Sequence, residues 1–129
     1  MVLDTSVFLA VLLEEPEAQQ FVHLIGEDRV RLCSAIAFVE ASIVLRNRKG
    51  EKGQRKFDQF LERAGIKVIP VNLEQAEAAR AAYQKFGKAI HPACLNLGDC
   101  FSYALAKVSN EPLLFKGNDF PLTDVVSAS

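Results

Sequence analysis

Short apolar segments alternate with longer helical patterns along this chain, and that alternation constrains its fold more than any other feature. Helical stretches repeat apolar residues every three or four positions, as Phe21, Val22 and Ile25 do. Strands separated by helices predict right-handed crossovers and a parallel sheet between helical layers. We therefore predict a three-layer α/β/α fold with a central, mostly parallel sheet of four or five short strands. The predicted strands are 2–4, 30–33, 67–71 and 112–115, with 124–126 as a fifth, and the predicted helices are 7–13, 17–25, 35–48, 54–64, 73–86 and 97–108.

The length and charge of the chain limit the partners it can have. At 129 residues we expect a single domain over 1–129 with a core of its own. A net charge of −1 carries no global signal for nucleic acid, so an anionic partner must be met by a local patch. No apolar run reaches the ~20 residues that span a bilayer, and no basic segment precedes the first apolar stretch. We expect a cytoplasmic protein.

Four carboxylates interrupt or end segments that otherwise have core composition. Asp4 follows the first strand, Glu40 lies within an apolar helix, Asp99 opens a late helix, and Asp119 follows the last long strand. Lone carboxylates are costly to bury unless they are paired or bound to a metal. Ligands collect at the carboxyl ends of parallel strands, where Asp4 and Asp119 are predicted to lie. The four acids therefore suggest one shared site.

Each acid taken alone has another explanation. Asp4 could cap a helix. Asp99 could stabilise the start of its helix through the helix dipole, and Asp119 could be a turn residue. At 100° per residue, Glu40 falls within the helix face defined by the apolar residues around it, which argues for an inward position over a solvent-facing edge. The apolar residues that define this face are Ile36, Val39, Ile43 and Val44.

Oxygen ligands favour a hard divalent cation at such a site. Carboxylates on an open wall suit Mg²⁺ or Mn²⁺, as one ion or two. The sulfur and imidazole groups are scattered and form no zinc pattern, and Cys33 and Cys100 are expected to be buried thiols.

The order and spacing of these acidic segments resemble the PIN-domain ribonucleases and, within that family, VapC-type toxins of toxin–antitoxin pairs. The resemblance covers essentially the whole chain and implies a PIN-like α/β/α fold. It implies a metal-dependent endoribonuclease that acts as the toxin of a type II pair. The segments that carry the resemblance are Val2-Leu3-Asp4-Thr5-Ser6, Phe38-Val39-Glu40-Ala41, the segment 97–106 around Gly98-Asp99, and Leu114-Phe115-Lys116-Gly117-Asn118-Asp119-Phe120 with Thr123-Asp124 after it.

Site residues carry over by position in these segments. The resemblance implies that Asp4, Glu40 and Asp99 are catalytic and metal-binding, with Asp119 as the fourth acid and Asp124 as its alternative. Thr5 or Ser6 resembles the hydroxyl that supports such a site in the family.

A basic segment follows the Glu40 helix. It reads Arg46-Asn47-Arg48-Lys49-Gly50-Glu51-Lys52-Gly53-Gln54-Arg55-Lys56. We predict that Arg46, Arg48, Lys49 and Lys52 contact RNA phosphates, the alternative being a solvated loop between helices. No aromatic residue interleaves the segment, so base stacking must come from elsewhere.

Two partners and two alternative functions complete the expectations. The resemblance implies a small cognate antitoxin, laid in an apolar groove that Phe57, Phe60 and Leu61 would line unless they belong to the core, and a homodimer. A haloacid-dehalogenase-like phosphohydrolase would use Asp4 as nucleophile, but it needs a second Asp where this chain has Ser6. A non-catalytic PIN-like binding module is the other alternative, and four retained acids argue against it.

Overall fold

Four short parallel strands form the centre of the molecule. The computed structural model describes residues 1–129. Along the chain lie β1 (Val2–Leu3), α1 (Thr5–Leu12), α2 (Ala18–Glu27), β2 (Leu32–Ser34), α3 (Ala35–Arg63), β3 (Lys67–Ile69), α4 (Leu73–Phe86), α5 (Leu97–Ser109) and β4 (Leu113–Leu114), and a 3-10 turn at Phe120–Leu122 follows. The strand order is β3-β2-β1-β4, and every pair is parallel. This arrangement confirms the predicted three-layer α/β/α fold.

Successive side chains of each strand point to opposite faces of the sheet, and the core therefore has two layers. Leu3 and Leu114 face the layer of α1, α2 and α3, whereas Val2 and Leu113 face α4 and α5. All four side chains are fully buried. Because both faces of the sheet are covered, even two-residue strands are uniformly apolar.

Helix α3 folds back on itself at Gly50. This glycine has φ +69° and ψ −162°, a backbone shape that side-chain-bearing residues rarely adopt. The Phe38 and Phe57 rings stack with centroids 5.9 Å apart, although a straight helix would separate them by about 28 Å. The two predicted helices 35–48 and 54–64 are therefore the two arms of a hairpin, which we call the α3 elbow.

Two sequence predictions about packing need correction. Segment 124–126 forms no fifth strand, because the end of the chain pairs with the sheet only through an isolated bridge between Leu113 and Ser127. The buried face of the first arm of α3 consists of Ala37, Ala41 and Leu45. Val39 and Ile43, which were expected to face inward, are 50% and 55% exposed.

The remaining choices in the sequence have clear outcomes. Phe57 and Leu61 are core residues and the partly buried Phe60 packs against the same cluster, so the three belong to the core and do not form a groove. Cys33 and Cys100 are buried free thiols, as expected. No helix combines the length and the apolar character needed to cross a bilayer.

Candidate active site

The first acid is fixed at the end of the central strand. Asp4 is 4% exposed and caps α1, its Oδ2 accepting hydrogen bonds from the Ser6 amide at 3.1 Å and the Ser6 hydroxyl at 2.7 Å. The Lys116 amide donates to the Ser6 hydroxyl oxygen at 2.9 Å. Ser6 thus connects Asp4 to the segment that follows β4. Asp4 is therefore a helix cap that lies at the end of the central strand.

Glu40 reaches the same region from α3. Its Oε1 accepts a hydrogen bond from the Thr5 hydroxyl at 3.0 Å, and Thr5 is the residue after Asp4. Burial is the main cause that raises the pKa of Glu40, with a contribution from the Asp4 charge, while the Thr5 bond opposes the rise. The hydroxyls of Thr5 and Ser6 therefore each hold one carboxylate.

Asp99 is placed by a capping box at the start of α5. Asn96 accepts a hydrogen bond from the Asp99 amide at 2.9 Å, and the Asp99 Oδ2 accepts one from the Asn96 amide at 3.0 Å. Burial raises the pKa of Asp99 to about 6, aided by the charges of Asp4, Asp119 and Glu40 and opposed by the Asn96 bond. Charge repulsion from the other three acids therefore contributes to the raised pKa of Asp99.

Gly98 is a site residue that the sequence reasoning missed. A Cβ built on Gly98 would lie 2.1 Å from Glu40 Oε1 and 2.5 Å from Oε2, so only glycine lets α5 approach the carboxylate this closely. The sequence does contain a signal for this contact. A glycine in the first turn of a helix lowers stability, so its presence suggests that another group packs closely against the helix there.

Asp119 and Asp124, the two candidates for the fourth acid, lie in different surroundings. Asp119 is exposed, makes no side-chain cap at the 3-10 turn, and adds its charge to Asp99. Asp124 accepts a hydrogen bond from the Tyr103 hydroxyl and pairs with Lys107 at 3.3 Å. These contacts lower the pKa of Asp124, mainly through Tyr103. Of the two, Asp119 is the one whose charge contributes to the raised pKa of Asp99.

The three better-buried acids share one feature of bonding. Asp4, Glu40 and Asp99 each use a single oxygen for protein donors and leave the other without one. Hydrogen bonds that orient one oxygen while the other stays free are the usual support of a ligating carboxylate. As the side chains lie, no three His, Cys, Asp or Glu groups come close enough together to hold a metal ion. Binding of a metal ion by these acids stays a prediction.

The predicted RNA-binding residues lie at the α3 elbow. All four side chains are exposed, and Arg46 pairs with Glu51 at 3.5 Å. Arg48, Lys49 and Lys52 make no ion pair. The segment is helical on both sides of Gly50, and its contact with RNA stays a prediction.

The chain matches known proteins over its full length. The model of the PIN domain matches residues 1–126. A "Ribonuclease VapC" of Mycolicibacterium smegmatis is 50% identical over 127 residues, covering 98% of each chain. "Ribonuclease VapC30" of Mycobacterium tuberculosis is 47% identical over 129 residues, covering 100% of this chain and 98% of its own.

Solved structures agree on the fold. The crystal structure of Mycobacterium tuberculosis VapC20, titled as a toxin that cleaves the sarcin–ricin loop, superposes with a TM-score of 0.78 at 16% identity, covering 97% of this chain and 95% of its own. A toxin–antitoxin complex from Klebsiella pneumoniae gives 0.75 at 18% identity, covering 99% and 97%. The match to the family model and the identity with curated relatives agree with the arrangement of acids, and the chain belongs to the PIN-domain family, within its VapC-type ribonucleases.

Proposed function

We propose that this protein is the toxin of a type II toxin–antitoxin pair, an endoribonuclease that hydrolyses RNA phosphodiester bonds with Mg²⁺ or Mn²⁺. The observation that carries the proposal is the bonding of Asp4, Glu40 and Asp99, each with one oxygen held and one free, beside the exposed carboxylate of Asp119. The relatives named as VapC ribonucleases support it.

The acids divide into two groups by whether a helix cap holds them. Asp4 and Asp99 are the proposed main ligands, because a capping bond fixes each of them at a helix start. Glu40 and Asp119 would complete the same ion, hold a second one or orient the attacking water. When bound, the cation neutralises the non-bridging phosphate oxygens, activates water and stabilises the leaving oxygen.

The chain itself supplies positioning and charge. Ser6 and Thr5 hold the carboxylates of Asp4 and Glu40 in fixed orientations, so less reorganisation is needed when a cation binds. Without a metal ion the pKa of Asp99 is raised to about 6, mainly by burial, so protons compete with the cation for this carboxylate as the pH falls toward that value. Because a protonated carboxylate is a poor ligand, cleavage should decline on the acidic side of that value.

The proposal includes two protein partners. Val39 and Ile43 are one helical turn apart, exposed, and next to Glu40, so they offer an antitoxin an apolar contact beside the acids. A second apolar surface lies between α4 and α5, where Ala79, Tyr83, Leu97 and Phe101 line a groove and Leu97 is 70% exposed, and it supports a homodimer. We place this assembly in the cytoplasm.

Replacement of one acid at a time tests the proposal. Asp99→Asn should reduce metal-dependent cleavage of RNA by about 100-fold or more, because the ligand loses its charge while its shape and capping bond remain. Asp124→Asn is the matched control, with the same chemical change outside the acidic group, and should cleave nearly as fast as wild type. A chelator should stop cleavage by the wild-type protein and by Asp124→Asn. Full cleavage by Asp99→Asn at limiting Mg²⁺ would contradict the assignment.

No observation favours the phosphohydrolase alternative. Ser6 stands where that class needs a second aspartate, and its hydroxyl is committed to Asp4 and the Lys116 amide. An acyl-phosphate trapped on Asp4 would revive that alternative.

A further inference from the structure

A basic cavity lies between the end of α1 and the α3 elbow. Its volume is about 240 Å³, which is enough for several waters or a phosphate group. Three lysines surround it, Leu12, Leu13 and Leu45 form its apolar part, and Glu14 is its one acid. We call it the lysine cavity, and its lysines are Lys49, Lys52 and Lys56.

The three lysines have no carboxylate partners. None of them forms an ion pair, whereas Arg46, Lys107 and Lys116 elsewhere in the chain all do. Like charges that converge on one cavity repel each other unless an anion joins them. The one acid of the lining leaves a net positive charge, so the cavity is set to receive an anion.

The fold of the elbow brings the lysines together. The reversal at Gly50 places Lys52 and Lys56 on one arm and Lys49 on the other. Gly53 lets the arms approach, because a Cβ there would lie 2.5 Å from the Lys49 Cβ and 2.8 Å from the Leu45 carbonyl oxygen. The convergence therefore rests on two glycines at the turn.

The lysine cavity is separate from the acids. Thr5 and Glu40 stand at one end of the α1–α3 pair, and Leu12 and Lys49 line the cavity at the other. Helical rise separates the two ends by about 11 Å along α1 and about 13 Å along α3. An anion in the cavity is therefore too far away to be the group that is cleaved at the acids.

We infer that the lysine cavity binds a backbone phosphate of the RNA substrate that lies outside the bond being cleaved. The inference rests on the proposed function for its ligand, since a ribonuclease must hold flanking phosphates. Lysine ammonium groups on flexible stems act as point charges and suit phosphate oxygens, which present no fixed planar geometry. An acidic segment of a protein partner is the competing occupant, and the experiment separates the two.

Binding should be measured without cleavage. The probe is a short fluorescein-labelled single-stranded RNA, followed by fluorescence anisotropy in EDTA over a salt series. The test variant is Lys49→Gln/Lys52→Gln/Lys56→Gln. The control is Lys67→Gln/Lys85→Gln/Lys88→Gln, which removes the same charge from exposed lysines that also lack ion pairs.

The test variant should bind this RNA about tenfold or more weakly, and its plot of log Kd against log salt should be flatter by about 0.7, the change expected for one phosphate contact on a single strand. The control should change both quantities far less. At limiting RNA the test variant should lose kcat/KM by about the same factor as it loses binding, since a flanking contact acts on the capture of the substrate.

Equal losses in the test and control variants would overturn the inference, as would a wild-type chain that binds no RNA. Unchanged RNA binding together with weaker antitoxin binding would overturn it in favour of an acidic protein segment. A wild-type chain that binds this RNA through the cavity but never cleaves it would refute the proposed function and leave the inference standing.

Discussion

Replacing Gly98 by alanine should damage the active site while leaving the fold intact. The new Cβ would lie 2.1 Å from Glu40 Oε1, whereas ordinary contacts begin at 3.4 Å, so the carboxylate must retreat by about 1.3 Å. The obstacle is the end of a flexible side chain, which can rotate away without moving the backbone. Glu40 would then lose its position and the hydrogen bond from Thr5.

The two effects on stability nearly cancel. Loss of the Thr5 bond to a half-buried carboxylate costs about 1–2 kcal/mol of unfolding free energy. Alanine in a helix restores up to about 1 kcal/mol relative to glycine. The unfolding free energy should therefore change by no more than about 1 kcal/mol. Cleavage should fall by about 10- to 100-fold in kcat/KM, because a displacement of 1 Å is costly at a reacting centre.

A double-mutant cycle isolates the contact. In a Glu40→Ala background, Gly98→Ala should cost no further activity and should stabilise the chain by up to about 1 kcal/mol. Gly26→Ala in α2 is the matched control, because a Cβ there meets nothing within 4 Å, and it should stabilise without affecting cleavage. Wild-type kcat/KM for Gly98→Ala, with Glu40→Ala inactive, would refute the view that Glu40 must stay in place.

Three further predictions address charge, loop placement and assembly. The pKa of Asp99 is raised in the folded chain to about 6, so without metal its contribution to stability should be complete below pH ~4 and lost as the pH rises through ~6. Asp99→Asn should remove that loss and be more stable than wild type by about 1 kcal/mol at pH 7, measured by urea unfolding in EDTA. An unchanged dependence of stability on pH in this variant would contradict the prediction. Lys116 pairs with Glu15 and Glu17 at 3.0 and 3.3 Å. Lys116→Met should therefore loosen the segment that leads to Asp119 and lower kcat about tenfold. If Lys116→Arg, which keeps the charge, is as slow as Lys116→Met, the ion pair is not the cause. Leu97→Glu should convert a dimer of about 28 kDa to the 14.2 kDa monomer in light scattering, and a dimer that persists would place the interface elsewhere.

Local signals in the sequence were sufficient for much of the fold. The helix predicted over 73–86 is observed at Leu73–Phe86, because Asn72 caps its start and Gly87 follows its end. The reversal at Gly50 falls in the gap between the predicted helices 35–48 and 54–64, since few residue types other than glycine adopt that backbone. These features depend on a few neighbouring residues, so periodicity and capping rules predict them.

Features that depend on distant contacts were beyond such rules. The exposure of Val39 and Ile43 reflects how α1 and the second arm of α3 pack on the helix, which local periodicity does not contain. The close approach of Gly98 to Glu40 joins residues far apart in sequence. The difference between Asp119 and Asp124 likewise arises from the contacts of Asp124 with α5.

Anomalous scattering from crystals soaked in Mn²⁺ tests the central claim most directly. We expect one or two peaks among the acids, with at least one within about 2.1–2.3 Å of oxygens from both Asp4 and Asp99. Asp99→Asn crystals soaked in the same way should lose or weaken that peak, while Asp124→Asn crystals should keep it. Absence of any peak among the four acids, at a Mn²⁺ concentration that supports RNA cleavage in solution, would contradict the account.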